Sequence, residues 1–217
     1  MAISYNPRTI TDGLVLCLDA ANTKSYPGTG TTWTDLSGNG NNGTLDNSVT
    51  FTNDGGGGLS FDGTDEIVLL PKIITTNDFT VCQFISYISD TGEGWTFDQY
   101  NGLSGRLILN TRLNKFRFFI GGNNFFSSTT LISGQKYFIC CSRNGSTGSI
   151  YINGKLDASG TLNSNSIDDI ASAIGGSRVL SSGKQFIGNI YTTSVYNKAL
   201  TPQEIQQNYN ALKSRYI

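Results

Sequence analysis

A chain of 217 residues is long enough for a single β-sandwich to fold without help. With 14% charged residues and a formal net charge of −1, it has neither the charge excess of a disordered tract nor the positive field of a nucleic-acid binder. The chain contains no histidine, which removes Ser-His-Asp and Cys-His catalysis and every metal site built on imidazole.

Residues 1–10 are polar and contain Pro7, so no secretory leader is read there, and Leu14 to Leu18 is too short an apolar run to span a membrane. Residues 1–12 are expected to form an arm that becomes ordered against a neighbour, and residues 13–217 one domain. Leu14 to Leu18 is the first strand. A long polar stretch, Asp19 to Asn47, follows with the turn signals Pro27-Gly28, Ser37-Gly-Asn-Gly40 and Asn42-Gly43. Within it Trp33 is expected to plug the loop onto the core. The Leu59 to Phe61 and Glu66 to Leu70 runs read as strands. Phe79 to Ile88 places Phe79, Val81, Gln83, Ile85 and Tyr87 on one face and Cys82, Phe84 and Ile88 on the other. A strand apolar on both sides belongs at the centre of a sheet that is covered twice.

Trp95 to Phe97, Arg106 to Asn110, Lys115 to Ile120, Lys136 to Ser142 and Ser149 to Ile152 continue the series of short strands. Asn153-Gly154 between Ile152 and Lys155 is a type I′ hairpin signal, because both residues tolerate positive φ. Ala173-Ile174, Phe186-Ile187 and Ile190-Tyr191 complete the strands. One helix is predicted, with Thr201 as cap, Pro202 at the first helical position and Glu204 closing a capping box. Its stripe of Ile205, Tyr209, Leu212 and Tyr216 should lie on the sandwich edge. Many short strands and no βαβ alternation give an all-β, two-sheet antiparallel sandwich with one short C-terminal helix.

The four cysteines, Cys17, Cys82, Cys140 and Cys141, sit in apolar runs without metal-knuckle spacing, and read as free, buried thiols of a reducing compartment. A Cys17–Cys82 bridge between neighbouring strands stays open. Adjacent Cys140 and Cys141 should point to opposite faces. Arg106, Arg112, Lys115 and Arg117 form the nearest approach to a basic cluster and read as solvated strand faces, so no nucleic-acid partner is expected.

Paired carboxylates are the one catalytic option that needs no histidine. Asp62, Asp65 and Glu66 surround one turn, Asp90 and Glu93 another, and Asp168 adjoins Asp169. None sets two carboxylates on one strand face among apolar neighbours, so no enzyme is expected. Asp19, Asp35, Asn39, Asn41, Asp62 and Asp65 offer oxygens suited to Ca2+ but lack the spacing of a calcium loop. Turn hydrogen bonds account for them more simply, and no other cofactor is expected. Aromatics in polar loops are the candidate ligand contacts: Trp95, Tyr100 beside Asn101, Arg106 near them, and the pair Phe125 and Phe126. An aromatic plate with amides and Arg106 could stack on a sugar ring, whereas Phe125 and Phe126 could equally bury in a subunit interface.

Ordered motifs give the chain a family likeness. Trp33-Thr-Asp-Leu-Ser-Gly-Asn-Gly-Asn-Asn-Gly-Thr-Leu45, Leu59-Ser-Phe-Asp-Gly-Thr-Asp65, Phe79-Thr-Val81, Gly148-Ser-Ile-Tyr-Ile-Asn-Gly-Lys155, Ile174-Gly-Gly176 with Phe186 to Ile190, and Tyr196-Asn-Lys-Ala-Leu-Thr-Pro-Gln-Glu-Ile205 together resemble the laminin-G-like domains of the concanavalin A-like lectin/glucanase superfamily. The resemblance implies a jelly roll of two curved antiparallel sheets whose relatives bind sugars, proteins or calcium. The Glu-x-Asp-x-x-Glu strand of its hydrolytic members is missing. So is the acidic residue before the closing strand, where this chain has Gly188-Asn-Ile-Tyr-Thr-Thr193. Calcium would carry over only to Asp35 and Asp62. The opening, Ser4-Tyr-Asn-Pro7 and Thr11 to Asn22 joined to Tyr26 to Trp33, is similar to single-domain virion proteins of tailed, especially marine, bacteriophages. That likeness implies a capsid-decorating or fibre-associated protein, made in the host cytoplasm and located on the virion. Its partners would be other virion proteins or its own copies. The alternative is a lectin domain recognising a host surface glycan.

Overall fold

The computed structural model describes residues 7–90, 92–100, 105–164, 166–167, 170–178 and 183–216. Among these, sixteen strands form two eight-stranded antiparallel sheets, the expected jelly-roll sandwich. In chain order the strands are β1 Leu14–Asp19, β2 Thr32–Trp33, β3 Gly43–Asp46, β4 Thr50–Thr52, β5 Gly58–Asp62, β6 Ile67–Leu69, β7 Phe79–Ser89 and β8 Gly94–Gln99. They continue with β9 Leu107–Arg112, β10 Lys115–Ile120, β11 Asn123–Phe126, β12 Lys136–Asn144, β13 Thr147–Ile152, β14 Lys155–Thr161, β15 Ala173–Ile174 and β16 Ile187–Tyr196. Helix α1, Pro202–Tyr216, closes the chain.

The first sheet runs β14-β13-β12-β7-β16-β5-β4, with β1 also pairing to the end of β16 beyond β5. The second runs β11-β10-β9-β8-β15-β6-β3-β2. Between them Phe79, Val81, Ile85 and Tyr87 of β7 meet Phe97, Leu109, Phe116 and Phe118 of the second sheet. Trp33 is fully buried in the same core, so the long loop after β1 is pinned as its sequence suggests. The loop is stapled by Asp35, whose carboxylate accepts from the amides of Cys17, Ser37 and Asn41 at 2.9–3.0 Å and from the Ser37 hydroxyl at 2.7 Å. Asp62 likewise accepts from the Thr64 amide at 2.8 Å, within its own turn. Both candidate calcium ligands thus serve loop geometry.

The outer face of the first sheet is covered by α1. Thr201 and Glu204 exchange the two bonds of a capping box, Thr201 N–H to Glu204 Oε2 at 2.8 Å and Glu204 N–H to Thr201 Oγ1 at 3.2 Å. The helix does not sit on the sandwich edge as its stripe suggested. Ile205, Tyr209, Leu212 and Tyr216 pack on Phe84, Phe138, Tyr151, Tyr191 and Tyr196, an apolar patch on the sheet face itself. The reason is that β7, β12 and β16 are apolar outward as well as inward, and only a helix laid across the sheet removes that patch from water. Residues 7–12, within the expected arm, run along α1 of the same chain: Ile10 N–H donates to Asn208 Oδ1 at 2.8 Å and Tyr196 Oη to the Ile10 carbonyl at 3.0 Å.

The cysteines correct one expectation. Cys82 and Cys140 are joined as a disulfide, and only Cys17 and Cys141 are free. Register explains it: Cys140 lies directly opposite Cys82 across β12 and β7, with Cα atoms 4.1 Å apart, a close cross-strand pair. Cys17 cannot take that partner, because β16 lies between β1 and β7, with Ser194 facing both. Burial, with Asp19 beside it, pushes the Cys17 thiol up to about 11. As expected, Cys140 and Cys141 face opposite ways, one toward the helix and the other into the sandwich core.

Candidate functional site

The outer face of the second sheet is where the candidate residues converge, and a backbone irregularity aims them. Trp95 pairs with Asn110 while Phe97 pairs with Leu109, so Thr96 is an extra residue in β8. Without this bulge Trp95 and Phe97 would share a face. With it Phe97 points into the core and Trp95 out. The Thr96 carbonyl accepts from Gln83 Nε2 at 3.0 Å across the sandwich and from the Gly175 amide at 3.4 Å, which satisfies a buried acceptor.

Register then defines two outward rows. One runs Phe119, Ile108, Asp98, Ala173, Leu69 and Thr44 across six strands. The other runs Phe126, Arg117, Asn110 and Trp95, and ends on a parallel bridge to Gln185. Trp95, Ile108 and Phe119 form a small apolar cluster with Tyr100 packed on it, the Trp95 and Tyr100 rings 6.0 Å apart. The Arg106 guanidinium lies 4.5 Å from the Phe119 ring centre and 5.6 Å from that of Tyr100. Trp95 itself is only 2% exposed; its indole is a floor, and Tyr100 and Arg106 are the reachable parts.

Glu93 organises the rest. Its carboxylate accepts from Trp95 Nε1 at 3.0 Å and pairs with Arg117 and Arg112 at 3.1 Å and Lys184 at 3.3 Å. Burial raises the Glu93 carboxyl, but Trp95, Arg117 and Lys184 outweigh it and hold it below the ordinary glutamate range. Arg117 is buried, with Nε bonded to Asn110 at 2.9 Å, and so is not the solvated strand residue expected from scatter alone. Burial pulls its guanidinium down, opposed by Glu93, while Arg112 and Arg106 push in the same direction as burial.

Asp98 stands in the middle of the face. It is fully buried, and desolvation pushes its carboxyl well up, against the charge of Arg178 and the nearby amides of Arg178 and Ala173. On the β3–β6 side, Asp46, Asn47, Asp65, Ile67, Leu69, Ser177, Arg178 and Gln185 line a cleft of about 400 Å3. Gln185 belongs to both halves, since it also bridges to Trp95.

Of the candidates named from sequence, Trp95, Tyr100 and Arg106 come together, and Phe126 joins the same face at its edge opposite Arg117. Phe125 does not: it pairs opposite Phe118, packs 5.9 Å from that ring and fills the space left by the facing glycines Gly148 and Gly160. Asn101 lies outside the described residues, as do Asp168 and Asp169. Sequence reasoning missed Phe119, Asp98 and Lys184, and named Glu93 only as a carboxylate of a turn. The alternation Lys115, Arg117, Phe119 was the available signal for one of them. Among the described residues no group of three or more metal-ligating side chains is gathered, and no helix is long and apolar enough to cross a membrane.

Two antiparallel sheets in jelly-roll order, one sealed by a helix and the other carrying a polar and aromatic face, define a lectin-like β-sandwich. The chain belongs to the concanavalin A-like lectin/glucanase superfamily, whose Laminin_G_3 family matches residues 61–206. No curated protein matches it in sequence. Domain 4 of AbnA, an extracellular arabinanase of Geobacillus stearothermophilus solved with arabinotriose, superposes with a TM-score of 0.74 at 18% identity, over 90% of this chain and 98% of that one. The binding domain of Paraclostridial Mosquitocidal Protein 1 gives 0.73 at 15% identity, over 93% and 52% of the two chains. Trypanosoma rangeli sialidase gives 0.71 at 19%, over 94% and 33%. The chain thus spans about half of the second and a third of the third.

Proposed function

We propose that this chain is a non-catalytic carbohydrate-binding module whose site is the outer face of the second sheet. The observation that carries the reading is the unequal treatment of the two faces. The first sheet hides its apolar outer patch under α1. The second keeps Tyr100 and Arg106 only partly buried over a buried aromatic floor and continues into a polar cleft with Ile67 and Leu69 in it. Sugars are held by such a combination of apolar platform and planar hydrogen-bonding groups. The arabinanase domain solved with arabinotriose, a binding-domain relative and a sialidase give the same fold a carbohydrate or binding setting. A glycan array with the purified protein tests the reading. Tyr100→Ala should weaken binding about tenfold or more, and an array with no ligand for the wild type would sink it.

Placement on a tailed-phage particle, as a capsid-decorating or fibre-associated protein in contact with virion neighbours or its own copies, is a finer proposal that rests on the N-terminal motifs. Recovery of the chain from purified particles would support it, and its absence there would dismiss it.

A further inference from the structure

We infer that the ligand is an acidic saccharide and that Arg106 receives its carboxylate. The inference rests on the carbohydrate reading above and narrows it to a ligand class. Four cations gather on the outer face: Arg112, Arg117 and Lys184 around a single carboxylate, Glu93, and Arg106 next to Arg117 on the Phe119 ring. Three of them are committed to Glu93: Arg112, Arg117 and Lys184 each pair with it. Arg106 is different. Among the described residues no carboxylate pairs with it; its guanidinium lies on the Phe119 and Tyr100 rings, and the residue is only partly buried. A guanidinium fixed against ring faces keeps its N–H donors free for a planar anion, the geometry in which carboxylate is held by two parallel bonds.

Around Glu93 cations outnumber carboxylates although the chain as a whole carries −1. Asp98, the acidic residue in the rows, is fully buried, and burial disfavours its charged form, so it offsets that excess of cations less than an exposed carboxylate would. The choice of a carboxylated sugar over a nucleic acid follows from the commitments just described. A polyphosphate strand needs several free cations along its path. The aromatic half of this face offers Arg106 beside Tyr100, while the adjoining cleft sets Arg178 among the carboxylates Asp46 and Asp65, with Gln185 and Asn47 placed for hydroxyls. One anion per sugar, flanked by hydroxyl contacts, fits that layout.

The test compares polygalacturonate, alginate and polysialate with their methyl esters, which keep the backbone and remove the charge, alongside neutral arabinan and dextran and single-stranded DNA. Affinities are measured by calorimetry at 50 mM and 500 mM NaCl. At least one acidic polymer should bind tenfold or more tightly than its ester, and weaken at high salt. Arg106→Gln should lose that preference, with Arg106→Lys intermediate, and both should melt close to the wild type. Equal affinity for acid and ester, or binding to neutral glycans alone, would overturn the acidic ligand and leave the carbohydrate reading standing. Binding DNA as tightly as the best uronate would also overturn it. No binding to any saccharide would remove both. Should Arg106→Gln fail to fold, the acid-to-ester comparison on the wild type still decides.

Discussion

Glu93 is the residue on which the outer face depends. It accepts an indole N–H and answers three cations, one of them the buried Arg117. Glu93→Gln keeps the shape but leaves Arg117 in a nearly dry site without a countercharge, which should cost about 1–3 kcal/mol in urea unfolding at pH 7. The sign of the pH effect follows from its depressed carboxyl. Its contribution is complete above the ordinary glutamate value of 4.5 and fades as pH falls through its lower folded value. The variant should therefore lack that acid-side loss. Asp98 works in the opposite direction. Burial raises its carboxyl above the ordinary aspartate value of 3.8, so the folded chain binds the proton more tightly than the unfolded one and stability falls as pH rises past that value. Asp98→Asn should therefore gain on the wild type as pH is raised from 4 to 7. Denaturation curves at the two pH values that run parallel for the two proteins would contradict this.

At the scale of elements, α1 and the β7–β12 pair carry separable contributions. Thr201→Ala removes one bond of the capping box and should lower stability by about 1 kcal/mol, read as a shift in the urea midpoint with unchanged slope. The Cys82–Cys140 bridge closes a loop with a sequence separation of 58. Reduction should cost about 2–4 kcal/mol, and equal denaturation curves with and without dithiothreitol would refute the bridge's part in holding the central strands. These elements also show where sequence suffices and where it stops. The helix start was legible because Thr201, Pro202 and Glu204 act within one turn, and the hairpin because Asn153 and Gly154 take φ of 51° and 79° within two residues. The double burial of β7 was legible from its own alternation. What stayed hidden depends on how strands meet. The disulfide needs the register of β12 on β7, the facing of Trp95 needs one extra residue in β8, and the inward turn of Phe125 needs two glycines on facing strands. None of these is a local property of the chain.

For the whole molecule, the sandwich separates a helix-covered side from a presenting side, and its two tryptophans stand in the intersheet core and on the presenting side. Trp33 is buried between the sheets, and Trp95 lies under Tyr100 on the outer face, with Lys184 6.0 Å from its ring. The sequence contains no third tryptophan. A ligand on the outer face must disturb the packing and charges around Trp95 and leave the intersheet core as it is, because close-packed interiors change little on binding to a preformed face. In Trp33→Phe, where Trp95 is the sole reporter, a bound saccharide should change fluorescence intensity or emission maximum in a saturable way. In Trp95→Phe, where Trp33 remains, the same titration should give a flat line, while calorimetry confirms that the ligand still binds. A saturable signal from Trp33 with silence from Trp95 would move the site off the second sheet, to the rim loops near Trp33 or to the α1 side. The midpoint of the Trp95 titration should also match a ligand-induced gain in thermal stability, since a ligand held only by the folded face adds about 2.7 kcal/mol at a hundredfold excess over Kd.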